Sequence, residues 1–480
     1  MFKASNIHYE IAERTRGISC GGIGGMHVLA RQVGLTRAID ENLFLLQRHL
    51  PYFESDHVLN IAYNILAGGT RLEDIELRRN DEVYLDALGA ERIPDPTTAG
   101  DFCRRFGEAD IEALMNGINQ VRLGVWRRQP AGFFKRATID GDGTLAPTTG
   151  ECKEGMELSY KGQWGYHPLI ISLAETAEPL YLVNRRGGRP SQEGAAVRYD
   201  QAIALCRRAG FEEIVLRGDT DFSQATHLDH WDAAGVHFIF GYDARSNLVE
   251  IAENLPKNRW KRLVRRAPYE ARSEPRQRPV KVKEEIVRER EYKNIRLRSE
   301  QVADFDYKPA RGGRTYRMVV VRKNLSVEKG ENVLFDDVRY FFYITNIRSV
   351  SPGEIVFDAN ARCHQENLIA QLQNGVRALQ MPVDNLVSNW AYMVMASLAW
   401  TLKAWLALML PENGRWSEKH SFEKQAVLKM EFKTFLNAFM RLPCQIVRTG
   451  RRIVYRLLGW NPWLHVFLRT VDAMYRPLRC

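Results

Sequence analysis

From residue 55 onward, apolar side chains recur at Val58, Ile61, Ala62, Ile65 and Leu66, the i, i+3, i+4, i+7 spacing of a helix face. Ser55 and Asp56 open that helix, and Gly68-Gly69 closes it. A second helix is predicted after Pro94-Asp95-Pro96. There Thr98 and Asp101 are spaced as a capping box, Ala99, Phe102, Cys103 and Phe106 face inward, and Arg104 and Arg105 face outward. Beyond Pro130 the period drops to two. Strands are predicted over Arg136 to Asp142, over a long stretch from Tyr166 to Glu175, and over Leu180 to Asn184 after the turn Thr176-Ala177-Glu178-Pro179. Helices at Gly194 to Ala209 and Ser223 to Ala234 then alternate with strands at Glu213 to Arg217 and Val236 to Phe240. Three antiparallel strands followed by helix, strand, helix and strand predict a mixed α/β sheet flanked by helices.

After Phe240 the alternation stops. Lys257, Arg259, Lys261, Arg262, Arg265 and Arg266 bracket Trp260, and Lys281 to Arg298 mixes both charges with β-branched positions. Arg314 to Arg322 predicts a strand. The stretch reads as a β-rich basic insertion whose Trp260 cluster suits phosphates plus a stacking surface. Regular pattern returns with a strand at Tyr340 to Asn346 and a helix over Asn360 to Gln380 that carries Arg362 and Glu366 at i and i+4. The span Trp390 to Leu410 is apolar enough to cross a bilayer. Lys403 and Trp400 lie within it, Ser397 and Thr401 add polarity, and no second hydrophobic segment accompanies it, so a buried core helix is expected and no membrane partner. A loop at Pro411 to Gly414, a helix over Ser421 to Met440 and a hairpin from Gln445 to Val454 complete the chain. The expected organisation is a helical DNA-binding region at 1–130, a core at 131–240 resumed at 340–410, the insertion at 241–339 and a basic C-terminal region at 411–480.

Composition narrows the class. Of 480 residues, 45% are hydrophobic and 26% charged, which is ordinary for a folded chain with a sizeable core. A formal charge of +10 favours a polyanionic partner. Arg104 and Arg105, on a short helix after a tight turn, would suit a duplex groove, although a solvated face on a packing helix has the same pattern. From Arg441 to Arg479 the arginines meet only Asp472 as counter-charge. The seven cysteines form no Cys-x-x-Cys and have no histidines at zinc spacing, so they read as reduced thiols. Met1 to Asn6 has neither an apolar core nor a cleavage site, and a cytoplasmic location is expected.

The chemistry concentrates in Ala137-Thr138-Ile139-Asp140-Gly141-Asp142-Gly143-Thr144. Period two puts Thr138, Asp140 and Asp142 on one strand face, and acids crowded this way need a cation or a shared proton. A second apolar strand ends in Arg217-Gly218-Asp219-Thr220-Asp221, and ligands gather at this carboxyl edge of open sheets. Two readings follow. Asp142, Asp219 and Glu366 supply three carboxylates, enough for two magnesium ions about 3.5 to 4 Å apart at a phosphodiester. Alternatively, Asp140-Gly141-Asp142-Gly143-Thr144-Leu145 fits a haloacid-dehalogenase-like phosphohydrolase, with Asp140 as nucleophile.

Further stretches favour the first reading. They are Gly162-Gln163-Trp164-Gly165-Tyr166-His167-Pro168-Leu169, Arg186-Gly187-Gly188 with Ser191 and Gly194-Ala195, Arg217 to Phe222, Thr345-Asn346 and Arg362-x-x-x-Glu366. Together with Asp142-Gly143-Thr144 they resemble the DDE transposases of bacterial insertion sequences, whose RNase H-like core carries a β-rich insertion between the second Asp and the Glu. The resemblance implies a metal-binding triad of Asp142, Asp219 and Glu366, with Arg362 meeting DNA phosphate. It also implies dependence on Mg2+, with Mn2+ as substitute, cleavage at terminal inverted repeats of double-stranded DNA, and joining of the freed 3′-hydroxyl to target DNA. A homodimer or larger assembly on DNA is likewise implied. Ala359 and Gln373 stand where such proteins often have Tyr and Lys. A DNA-binding derivative without catalysis is the remaining alternative.

Overall fold

The computed structural model describes residues 16–49, 51–150, 153–265, 285–286, 293–329, 332–412, 414–450 and 452–475. The first six residues, Cys152, Arg266, Lys281, residues 287–292, Arg451, Arg479 and Cys480 lie outside that description.

The N-terminal region is helical: α1 (Gly22–Gln32), α2 (Leu35–Asn42), α3 (Glu54–Leu66), α4 (Ile75–Arg79), α5 (Glu82–Leu88), α6 (Pro96–Arg104) and α7 (Glu108–Trp126). A two-residue strand, β1 (Gly17–Ile18), precedes them. α3 is buried on every side except at Asp56, wider than the single stripe its spacing predicts. Glu54 tolerates that burial because one carboxylate oxygen accepts from the backbone N–H groups of Leu45 and Leu46, each at 3.0 Å. The capping box expected between Thr98 and Asp101 does not form. Pro96 occupies the first turn, so Asp95 is the cap and accepts from Thr98 N at 2.8 Å.

A nine-stranded sheet follows: β2 (Arg136–Gly143), β6 (Leu169–Leu173), β7 (Glu178–Val183), β8 (Glu213–Gly218), β9 (His237–Tyr242), β10 (Lys261–Arg262), β11 (Lys293–Tyr307), β12 (Tyr316–Lys329) and β13 (Asn332–Thr345). The spatial order is β10-β11-β12-β13-β9-β8-β2-β6-β7. In the half β7-β6-β2-β8-β9, the first three strands are antiparallel and β8 and β9 run parallel to β2, with α8 (Ala195–Ala209) and α9 (Leu228–Ala233) between them. This is the mixed sheet expected from the alternation, in the RNase H-like form that the resemblance implied. The β-rich insertion joins that sheet edge to edge, since β13 pairs antiparallel with β9 from Phe342↔Tyr242 to Thr345↔Ile239. β13 therefore runs unbroken across residues 339 and 340.

The long strand expected from Tyr166 to Glu175 is broken at His167-Pro168, because proline cannot donate to a ladder. Its first part, β5 (Trp164–Tyr166), joins β3 (Ala146–Pro147) and β4 (Glu157–Leu158) in a three-stranded flap of order β3-β5-β4. The helix expected over Asn360 to Gln380 is shorter, α12 (Cys363–Ala370) followed by a π-helical turn at Gln371–Gly375, and a separate helix, α11 (Pro352–Asn360), ends where it was expected to begin. α10 (Ser246–Glu253) begins the insertion.

α13 (Leu386–Leu408) is long and apolar enough to cross a membrane, yet its whole apolar window is buried inside the protein. It contacts α3, α6, α7 and β7. Its indole groups cap the edge strand: Trp390 donates to Leu182 O, Trp400 to Ala177 O and Trp405 to Glu178 Oε1 at 2.8 Å. Trp126 donates to the other Glu178 oxygen, and Arg122 donates to Glu178 Oε1 at 3.0 Å and to Pro179 O. Arg122 and Glu178 are both fully buried. An otherwise open sheet edge is thereby closed by side chains.

The helix expected over Ser421 to Met440 is α14 (Ser417–Lys429), α15 (Phe432–Phe435) and a π-helical turn at Leu436–Met440. The hairpin β14 (Cys444–Thr449) and β15 (Arg452–Leu457) takes β1 as a third strand, and α16 (Leu464–Tyr475) lies on α1. Both ends of the described chain thus pack together. The acids missing near the C-terminal arginines come from elsewhere: Arg448 pairs with Asp86 and Arg469 with Glu423.

Candidate active site

Asp142 and Asp219 stand at the carboxyl ends of the adjacent parallel strands β2 and β8. Backbone glycines allow this edge to be tight. A Cβ on Gly141 would fall 2.2 Å from the Tyr199 hydroxyl, and one on Gly218 would fall 2.5 Å from Phe222 Cβ. Asp219 caps a single 3-10 turn, its Oδ1 accepting from Asp221 N at 3.0 Å. Arg362 reaches in from the junction of α11 and α12, where its Nη1 donates to Asp142 Oδ2 at 2.8 Å. Its Nη2 lies 3.7 Å from Glu366 Oε1.

Arg362 thus turns toward the acids, where the resemblance implied a contact with DNA phosphate. Glu366 is 63% exposed and, among the described residues, is attached to the site only through Arg362. Among the described residues, no three His, Cys, Asp or Glu side chains are gathered closely enough to hold a metal ion. Two acids meet, and the third waits at the rim.

Burial pushes the Asp142 carboxyl up to about 6, against the pull of Arg362, and the negative charge of Asp219 adds to the rise. Asp219 is also raised, first by burial, with Arg362 lowering it and Asp221 raising it. Two carboxylates that resist ionising beside each other make a site short of positive charge. Its donors are all oxygen, which suits magnesium or manganese better than a softer metal.

Asp140 has a different fate. It is fully buried, and Arg217 grips it bidentately, Nε to Oδ1 and Nη2 to Oδ2, both at 2.8 Å. Arg217 Nη1 also donates to the backbone and side-chain oxygens of Asp358 on α11. No oxygen of Asp140 is left to attack phosphorus, and the strands after β2 are antiparallel, so the phosphohydrolase reading is overturned.

Two positioning residues escaped the sequence reading. Gln365 is buried and donates Nε2 to Ile170 O at 3.2 Å, while its Oε1 accepts from Ser172 Oγ, which bolts α12 to β6. Asp358 ties α11 to both Arg217 and Arg136. Asp140 and Arg217 are register partners, which their strand positions already hinted; nothing in the sequence pointed to Gln365.

The remaining basic candidates are scattered. Trp260 is buried, with Arg322 4.3 Å from its ring centre, so the expected stacking surface is already occupied. Lys257, Lys261 and Arg262 are exposed beside it, and Arg259 donates to Asp304 O at 2.8 Å. On α6, Arg104 is committed to Asp101 and Asp384, and Arg105 is exposed.

An RNase H-like sheet with acids at the ends of its central parallel strands, and a β-rich segment before the helix bearing the arginine and glutamate, is the architecture of a transposase. The family model described as transposase DDE domain group 1 matches residues 15–478, and the chain belongs to that family. It is a DNA transposase by family. No curated protein sequence matches the chain. Among solved structures, a piggyBac transposase synaptic complex with hairpin DNA is similar at 9% identity and a TM-score of 0.36, covering 87% of this chain and 81% of that one.

Proposed function

We propose that the protein cleaves double-stranded DNA at the terminal inverted repeats of an insertion sequence and joins the freed 3′-hydroxyl ends to target DNA. The observation that carries this reading is the approach of Asp142 and Asp219 at one sheet edge, with Arg362 as their only close cation among the described residues. Asp142, Asp219 and Glu366 would hold the magnesium, manganese substituting. When bound, the metal activates the attacking oxygen and steadies the leaving oxygen of a phosphodiester.

The chain's own part is orientation. Arg217 and Asp358 fix the strand below the site, and Gln365 fixes the helix beside it. Arg362 holds the Asp142 carboxylate in place and, once relieved of it, is the group nearest to DNA phosphate. Exposed Glu366 would have to turn inward to join them. DNA ends are the partner, an assembly of two or more copies brings two ends together, and the work is done on DNA in the cytoplasm.

The test is to give the purified chain a DNA fragment carrying the repeats that flank its coding region, in magnesium or manganese. Specific nicks and joined products are expected, and they should vanish in Asp142→Asn, Asp219→Asn and Glu366→Gln while binding persists. A wild type that binds these ends and never cuts them is the non-catalytic DNA-binding derivative instead.

A further inference from the structure

The flap β3-β5-β4 grows directly out of the catalytic edge. Gly143, the last residue of β2, pairs with Leu169, Thr144 N donates to Pro168 O at 3.0 Å, and β3 starts two residues later. The flap is built to be stiff. Gly162, at φ +72°, closes a tight hairpin in which Ser159 N donates to Gln163 O at 2.8 Å and Gly162 N to Ser159 O at 2.9 Å. A Cβ on Gly165 would fall 2.3 Å from Ala146 O, and one on Gly187 2.3 Å from Gly165 O, so backbones pack face to face and only glycine fits.

This rigid frame presents an apolar face that is exposed among the described residues. Leu158 and Trp164 are directly opposed across β4 and β5 and are 52% and 56% exposed. Tyr160, in the turn that joins β4 to β5, is 77% exposed. Lys161 lies 5.3 Å from the centre of the Tyr160 ring and has no ion-pair partner among the described residues. Exposed aromatic rings beside an unneutralised cation are what a solvated nucleic-acid strand stacks upon. By extended-chain geometry, Trp164 lies no more than ~25 Å from Asp142, about seven nucleotides of a strand.

We propose that Tyr160 and Trp164, with Lys161, form a stacking platform for unpaired nucleotides of the DNA end held at Asp142 and Asp219. The inference rests on the transposase reading above. It gives the glycine-rich motif Gly162 to Gly165 a purpose: to hold two rings in water where an opened end can reach them.

The full-length protein is tested with a blunt duplex and with the same duplex bearing a short single-stranded 3′ extension that contains 2-aminopurine. Wild type should bind the extended duplex about tenfold more tightly and quench its fluorescence. Trp164→Ala and Tyr160→Ala should bring that affinity to the level of the blunt duplex, whose own affinity stays unchanged, and Trp164→Phe should retain the preference. If Trp164→Ala keeps the preference and the quenching, or if the substitutions only dissociate an oligomer in light scattering, the platform is refuted and the face belongs to a protein interface. Wild type that binds both duplexes equally overturns the platform alone; wild type that binds no DNA overturns the reading beneath it.

Discussion

Buried charge is handled in two opposite ways within this one sheet. At the β7 edge, Glu178 receives Arg122, Trp126 and Trp405, and every oxygen of that carboxylate is occupied. At the carboxyl end of β2, Asp142 has one arginine donor, which it shares with Glu366 through a longer contact, and its carboxyl is raised to about 6. The first cluster is a closed seam that welds α7 and α13 to the sheet. The second is left short of partners, and groups kept that way are the ones with something still to bind. Burial of charge alone therefore does not mark a site; incomplete satisfaction does.

The comparison is broken most decisively at the strand end. Asp142→Asn should lower DNA cleavage by at least ~10³-fold, in the range expected for losing a group that acts in the transition state, while the melting temperature stays level or rises. Nicking and calorimetry on the same preparation check both halves, and a variant that cuts normally removes Asp142 from the chemistry. The seam should behave in reverse. Arg122→Met strands Glu178 in the core and should cost about 3 to 5 kcal/mol in urea denaturation, with cleavage per folded molecule retained.

Smaller effects sharpen the contrast. A divalent cation that binds the strand end should stabilise the protein by about 2.7 kcal/mol at a hundredfold excess over its dissociation constant, and Asp142→Asn should abolish the gain. The Asp142 carboxyl is raised on folding, so its contribution to metal-free stability is present below the unfolded value of 3.8 and lost as pH rises through about 6. The metal-dependent shift in melting should accordingly be full above pH 6 and fade below it. On α13, Lys403 is buried with Nζ donating to Leu428 O, and burial lowers it to about 7. Its contribution is present above the unfolded 10.5 and lost as pH falls through 7, so Lys403→Met should stabilise by about 1 to 2 kcal/mol at pH 7, and the gain should shrink toward pH 10. Equal gains at both pH values would show that repacking, not charge, is the cause.

Much of the sheet was legible because β2, β8 and β9 announce themselves by short apolar runs ending in glycine and acid. Asp142 and Asp219 stood out for the same reason. Helix α11 was missed although Ser351, Pro352 and Glu354 carry its capping box, and its last turn is held by the grip of Arg217 and Arg136 on Asp358. Trp260 misled because basic neighbours say nothing about which way a ring faces; Arg322, which covers it, comes from another strand. The Glu178 seam was equally silent, its partners being scattered from Arg122 to Trp405.

Arg362 and Asp142 are 220 residues apart in the chain, with the whole sheet extension made between them. During synthesis the two aspartates are therefore complete long before the arginine and glutamate that finish their surroundings. A fragment ending inside the extension, from a damaged gene or an interrupted ribosome, carries half a site. A DNA transposase of this build thus lacks its full set of site residues until about three quarters of its 480 residues have been made.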